Sequence, residues 1–169
     1  MATTTFIPLA NVTLASDVMG ITLDAITQDY ADLVLVVDAT GWENTGITAR
    51  LNADSSSIYS TVMMRNFNGS AYASTNSNIS YFNVNNSGYF GVDVKWQGIF
   101  ELFDYSKTDR NKTLLFRKNQ PVPNDGGQSS LEQSAQTYAS NSAITSITLT
   151  ADFAAGSSFK LFGIHGEVV

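Results

Sequence analysis

The stretch Ala143 to Ile164 reads A-I-T-S-I-T-L-T-A-D-F-A-A-G-S-S-F-K-L-F-G-I, two apolar β-type runs around a Gly-Ser corner. In the first run Ile147, Leu149, Ala151 and Phe153 alternate with Thr148, Thr150 and Asp152, so one face is apolar and the other polar, as in a half-buried strand. In the second, Phe159, Leu161, Phe162 and Ile164 place apolar groups on both faces, which suits an inner strand. Gly156-Ser157-Ser158 supplies turn chemistry. The expectation is two long, adjacent, antiparallel strands, with Phe162 buried in the scaffold.

Outward from this pair, Tyr30 to Ala39 (Y-A-D-L-V-L-V-V-D-A) is β-branched and apolar on both faces, and belongs in the middle of a sheet. Thr5 to Leu14 and Val18 to Ile26 read as strands, as do the one-sided run Ile47 to Asn52 and the segment Ile58 to Phe67. Tyr89 to Tyr105 reads as two strands pivoting near Gly98, and Thr113 to Arg117 continues after a charged hairpin. Residues 66–88 are low in charge and rich in Asn, Ser and Tyr, and residues 124–141 form a second polar stretch containing Asp125-Gly126-Gly127; both are expected as long polar surface loops. Ser130 to Ala139 is the one weak helix candidate. Some ten short strands without intervening helices predict an all-β fold, an antiparallel β-sandwich of jelly-roll-like wiring, in a single domain over residues 1–169. N-terminal strands are expected to find partners near the C-terminus.

Hydrophobic residues make up 43% of the chain and charged residues only 14%, so neutral polar side chains must carry much of its hydration. A net charge of −6 argues against nucleic acid and anionic membrane as partners, because both are bound largely through Lys and Arg. The absence of cysteine excludes disulfides, thiolate catalysis and Cys-based zinc sites. The opening M-A-T-T-T-F-I-P has neither a basic n-region nor a sustained apolar run, so no secretory signal is expected, nor any membrane span. The sequons at Asn11, Asn68, Asn78, Asn85 and Asn111 then carry little meaning.

Chemistry has few footholds. His165 is the only histidine, and no G-x-S-x-G elbow precedes a helix, so a surface role outweighs a catalytic triad. Glu101, Asp104 and Asp93 are the carboxylates that could form a glycosidase-type pair, against the simpler reading of solvated strand ends. Asp54 with its serine run, and Asp125 beside Gly126-Gly127, are oxygen-rich loops that could hold Ca²⁺, but neither approaches a D-x-D-x-D-G pattern. No catalytic residue, metal or cofactor is expected. Lys107, Arg110, Lys112, Arg117 and Lys118 cluster within twelve positions and form a basic hairpin on an acidic chain. This is either a charged turn that blunts a sheet edge or a docking edge toward an acidic neighbour. Trp42, Tyr72, Tyr81, Phe82 and Tyr138 lie in polar surroundings, as exposed contact aromatics for a protein or a sugar ring, or as packing against the sandwich. Tyr72, within S-A-Y-A-S-T-N, is expected to be the most exposed.

The chain resembles small β-sandwich proteins found among the structural genes of tailed phages. The T/S-rich N-terminal strand pair, Y-A-D-L-V-L-V-V at Tyr30 to Val37, I-F-E-L-F-D-Y-S-K-T-D-R-N-K-T at Ile99 to Thr113, and the terminus ending F-K-L-F-G-I carry the resemblance, in order and over nearly the whole length. Lys107 and Phe162 depart from it, standing where asparagine and tyrosine are usual. The resemblance implies a non-enzymatic virion protein, assembled in the host cytoplasm, with the major capsid protein or other virion subunits as partners and no catalytic residues to carry over. A compact chain without a fibrous stalk points to a capsid decoration or cement subunit. By fold-level analogy it is a homo-oligomer, such as a trimer on local threefold axes. The alternative is a host-glycan-binding module of the tail or fibre, using aromatics from Asn66 to Gly88.

Overall fold

A computed structural model describes residues 5–43, 45–84, 90, 92, 94–121 and 129–165. It contains β1 (Phe6–Thr13), β2 (Val18–Leu23), β3 (Asp32–Thr40), β4 (Thr48–Leu51), β5 (Tyr59–Phe67), β6 (Ser70–Ile79), β7 (Phe82–Asn83), β8 (Lys95–Phe103), β9 (Lys112–Gln120), β10 (Ser130–Tyr138), β11 (Ile147–Phe153) and β12 (Ser158–Ile164). An eight-stranded sheet has the order β1-β12-β3-β8-β9-β10-β5-β6, and a four-stranded sheet the order β2-β11-β4-β7. All strand pairings are antiparallel. The fold is an antiparallel β-sandwich of jelly-roll type. No helix among the described residues is long and apolar enough to cross a membrane.

The alternation along Ile147 to Phe153 holds residue by residue: Ile147, Leu149, Ala151 and Phe153 are buried and the residues between them are not. The adjacency expected of the C-terminal pair does not hold. β11 lies in the four-stranded sheet between β2 and β4, whereas β12 lies in the eight-stranded sheet between β1 and β3. The Gly-Ser corner therefore carries the chain across the sandwich, with Gly156 at φ 86 and Ser157 Oγ accepting from the Thr40 N–H at 3.1 Å. The N-terminal strands do pair with the C-terminal ones, β1 with β12 and β2 with β11, which closes the jelly roll. β3 is an inner strand, as its sequence requires, and buries Leu33, Leu35 and Val37.

An aromatic spine fills the space between the sheets. Phe153 meets Phe90 and Phe159 edge-on, with ring centroids 5.4 and 5.0 Å away, and Trp96 stacks on Phe116 at 5.9 Å. Gly98 is not a pivot, because Lys95–Phe103 is one continuous strand. A Cβ at residue 98 would run into the Trp96 ring and stand 3.2 Å from Phe116, so the glycine makes room for the spine. Tyr30 covers Gly163 in the same way. Phe162 is half-buried rather than core, its ring edge-on to Phe6 at 6.2 Å.

Two polar stretches expected as loops are strands. Ser70–Ile79 pairs with β5 through an Asn68-Gly69 turn with positive φ at both residues, 48° and 83°, the geometry of a tight hairpin. Ser130–Tyr138 is neither loop nor helix but pairs on both sides, with β9 and β5. Its alternation is inverted: Ser130, Glu132, Ser134 and Gln136 face inward and are buried, while Leu131 is exposed. These polar groups meet one another. Gln136 Nε2 donates to Ser134 Oγ at 2.8 Å, Thr61 Oγ1 donates to Gln136 Oε1 at 3.1 Å, and Lys118 Nζ lies 3.8 Å from Glu132 Oε2. Burial of this kind is tolerable because the groups are paired.

Candidate interaction surface

The two faces of each strand in the eight-stranded sheet divide by parity, and the outward parity is unusually apolar. Register places Val34, Glu101, Leu115, Ala135, Val62 and Thr75 in one row across the outer face. The next row holds Val36, Ile99, Arg117, Gln133, Met64 and Ala73. Beside it run Gln97, Asn119, Leu131, Asn66 and Ala71. Met64 is 66% exposed, Val62 59% and Leu131 53%, with Ile99 and Leu115 both at 38%. Single exposed aliphatics are ordinary, but a contiguous set on one sheet face marks a contact surface. Open depressions of about 550, 520 and 470 Å³ cross this face and share Gln133. Glu101 and Arg117 form an ion pair between the apolar residues.

The basic hairpin is only partly available for docking. Lys107 and Arg110 are exposed, and Arg110 is held by Asp109 at 2.9 Å and Asp104 at 3.4 Å. Lys112 is buried and does structural work, its Nζ donating to the Lys107 and Arg110 carbonyls at 2.6 and 2.8 Å. Lys118 is buried beside Glu132, and loss of hydration lowers its pKa from 10.5 to about 8 in spite of that carboxylate. The expected five-charge docking edge is thus corrected. Lys112 and Lys118 share strand parity with Leu114 and Phe116 and point into the sandwich. Arg117 alone of the β9 cations faces out, onto the apolar surface.

The contact aromatics divide similarly. Phe82 and Tyr138 are buried in the core, against the expectation of exposure, because both pack on Tyr59, with centroids 4.8 and 4.9 Å away. Trp42 and Tyr81 are half-buried, with Arg50 5.8 Å over the Tyr81 ring. Tyr72 is exposed, as expected, and Arg65 lies 5.0 Å over its ring.

The candidate chemical groups have structural partners. Asp54 accepts from the Ser56 N–H at 2.8 Å and the Tyr138 hydroxyl at 2.7 Å. Hydrogen bonds from Ser56, then Tyr138, hold its pKa below the ordinary carboxylate value. Glu101 is paired with Arg117 and Asp104 with Arg110. His165 is exposed and its ring leans on Tyr30 with centroids 5.2 Å apart. No cluster of three or more His, Cys, Asp or Glu suited to a metal occurs among the described residues. Asp93, the sequon at Asn85 and the Asp125-Gly126-Gly127 loop lie outside the described residues.

The apolar outer face escaped the sequence reading, although its signal was present. Once Tyr59, Met63, Leu114 and Phe116 are taken as core, Val62, Met64 and Leu115 must point the other way.

No protein-family model matches the chain, and no curated protein matches it. Among solved structures it is similar to CG-16, a homodimeric agglutinin from chicken liver, at 11% identity and TM-score 0.36, over 83% of this chain and 98% of that one. It is similar to a PL-14 alginate lyase from Aplysia kurodai at 9% identity and TM-score 0.33, over 82% of this chain and 72% of that one. A toad ovary galectin in complex with thio-digalactose matches at 13% identity and TM-score 0.29, over 78% and 98%. Likeness at this level bears on neither ligand nor activity.

Proposed function

We propose that this chain is a non-enzymatic structural protein of a tailed-phage virion, a capsid decoration subunit that binds the outer surface of the assembled head through the outer face of its eight-stranded sheet. The observation that carries the docking surface is the contiguous exposure of Val62, Met64, Ile99, Leu115 and Leu131. The virion context is supported by the sequence resemblance. An aliphatic face flanked by neutral amides suits a protein partner, since burying it removes apolar area from water and leaves few charges to desolvate. The Glu101–Arg117 pair at its centre supplies register.

The test is binding of purified protein to shells that lack it, followed by co-sedimentation. The double variant Val62→Asp, Leu115→Asp is expected to remain folded by circular dichroism and to lose binding at least tenfold, because two carboxylates would be forced into a dry contact. Undiminished binding overturns this face as the docking surface. Failure of the unmodified protein to bind any shell overturns the decoration reading itself.

A second reading has its own observation. Gln97, Asn119, Gln133 and Arg117 line a depression of about 550 Å³ on the same face and offer the amide and guanidinium donors that a glycan needs. A glycan array answered by the wild type and lost in Gln133→Ala, together with a copy number of a few to a few tens per virion, would favour a tail or fibre module.

A further inference from the structure

The eight-stranded sheet ends in two edges that differ in kind. β1 is interrupted by Pro8 and by a register shift between Pro8 and Ala10, both of which blunt an edge against pairing. β6 carries no proline and no charged residue, and its register with β5 is unbroken from Ser70 to Asn76. Ala71, Ala73 and Thr75 are exposed, and among the described residues no strand pairs with their free side. An exposed, regular, uncharged edge of this length is a template for another strand.

The hairpin geometry says which backbone groups it offers. In a two-residue turn the flanking residues form a hydrogen-bonded pair, here Phe67 with Ser70, and such pairs alternate along the ladder. Ser70, Tyr72, Ser74 and Asn76 therefore direct N–H and C=O toward β5, and Ala71, Ala73 and Thr75 direct theirs outward. Asn68 fixes the hairpin tip by accepting from the Ser129 N–H at 3.1 Å and donating its own N–H to the Ser129 carbonyl at 3.2 Å.

From this arrangement we infer that β6 pairs antiparallel with β6 of a second copy about a twofold axis through Ala73, joining the two eight-stranded sheets into one. Ala73 faces its own counterpart and Ala71 faces Thr75, so every outward N–H and C=O of these residues finds a reciprocal partner. On the opposite face the register sets Tyr72, the one large side chain of the segment, across from Ser74 of the second copy, so large meets small in both directions. Charge at the edge does not oppose a second copy. Each chain carries −6, yet the edge strand is uncharged, and the charged side chain packed on it is the cation Arg65. The inference is independent of the virion reading, and it specifies a twofold dimer in place of the threefold arrangement expected by analogy.

The experiment uses the full chain, measuring mass by light scattering across a concentration series, with single-cysteine variants in a sequence that has no other cysteine. Wild type is expected as a dimer. Ala73→Pro removes an outward N–H without touching the β5 ladder, and is expected to give a folded monomer; Ala73→Lys, which adds a charge next to its own copy, is expected to do the same. Ala73→Cys should cross-link rapidly with a short bismaleimide, whereas Gln133→Cys, in the middle of the outer face, should not. A monomeric or trimeric wild type overturns the proposal. So does cross-linking through Gln133→Cys without Ala73→Cys, which would place the contact on the sheet face, or capture of a foreign extended peptide by β6 while the chain itself stays monomeric.

Discussion

β11 and β10 have equal claim to be called alternating strands, and they alternate with opposite polarity. β11 turns Ile147, Leu149, Ala151 and Phe153 inward, whereas β10 turns Ser130, Glu132, Ser134 and Gln136 inward and leaves Leu131 in water. β11 sits in the smaller sheet, between β2 and β4, and its inward residues join the aromatic spine. β10 lies toward the β6 end of the larger sheet, where polar groups that pair with one another form part of the buried layer. One molecule thus holds two interiors, one maintained by apolar area and the other containing side-chain hydrogen bonds and a buried ion pair. They should fail differently when perturbed.

The sharpest break is expected in the apolar half. Phe153→Ala removes a fully buried ring that touches both Phe90 and Phe159, and should cost about 3–5 kcal/mol. Urea unfolding monitored by tryptophan fluorescence checks the value. A cost below about 1 kcal/mol would mean that the spine can collapse around the gap.

In the polar half a single deletion and a double deletion should diverge. Glu132→Leu leaves the Lys118 ammonium buried without its carboxylate, at a cost of about 3 kcal/mol, whereas Lys118→Met combined with Glu132→Leu should return to within about 1 kcal/mol of wild type. The double-mutant cycle on urea midpoints measures the coupling directly. Additive costs would show that the ion pair is not what holds this interior together.

The same contrast governs how much of the molecule could be read from its sequence. β3 and β11 were legible because burial between two layers imposes the apolar periodicity that sequence reading looks for. β10 is illegible because its inward residues are the polar ones, so Ser130 to Ala139 shows no apolar alternation and reads as loop or at most a weak helix. The sheet switch at Gly156 was invisible for another reason: a Gly-Ser corner has the same turn chemistry whether the next strand returns to its neighbour or crosses the sandwich. In the candidate surface, Tyr72 was legible from its small polar neighbours. Lys112 and Lys118 read as part of an exposed charge cluster, whereas parity with Leu114 and Phe116 is what sets their burial. Phe82 and Tyr138 were misplaced because polar sequence surroundings do not report what lies across the sandwich, in both cases Tyr59.

Titration separates the buried ion pair from the buried phenols without mutation. Lys118 has a folded pKa of about 8 against 10.5 unfolded, so between these values the unfolded chain holds a proton that the folded chain lacks, and stability rises with pH. Tyr59 and Tyr138, raised from 10.0 to about 12 chiefly by loss of hydration, act oppositely. The folded chain keeps phenolic protons that the unfolded chain loses, and stability falls above pH 10. The unfolding free energy from urea titration should therefore climb from pH 8, by roughly 1–3 kcal/mol in all, peak near pH 10 and then decline. In the Lys118→Met, Glu132→Leu double variant the climb should vanish and the decline remain. A monotonic fall in wild type would place the Lys118 ammonium in contact with water.

The smallest effects belong to the two aromatic and aliphatic side chains whose exposure departs from their sequence pattern. Phe162 is half-buried against Phe6, so Phe162→Ala should cost about 1–2 kcal/mol, well short of the loss at Phe153. Leu131 sits on the outer face between Asn119 and Asn66, and Leu131→Gln should change stability by no more than about 0.5 kcal/mol. Its neighbour in sequence reverses the rule, since Glu132→Leu replaces a polar group with an apolar one and destabilises. If instead Leu131→Gln unfolds the protein while Glu132→Leu is silent, then β10 is seated one residue out of register, because a shift of one along a strand exchanges its two faces. Comparing these two adjacent substitutions therefore reads the orientation of β10 directly, and with it which side of the large sheet is free to meet a partner.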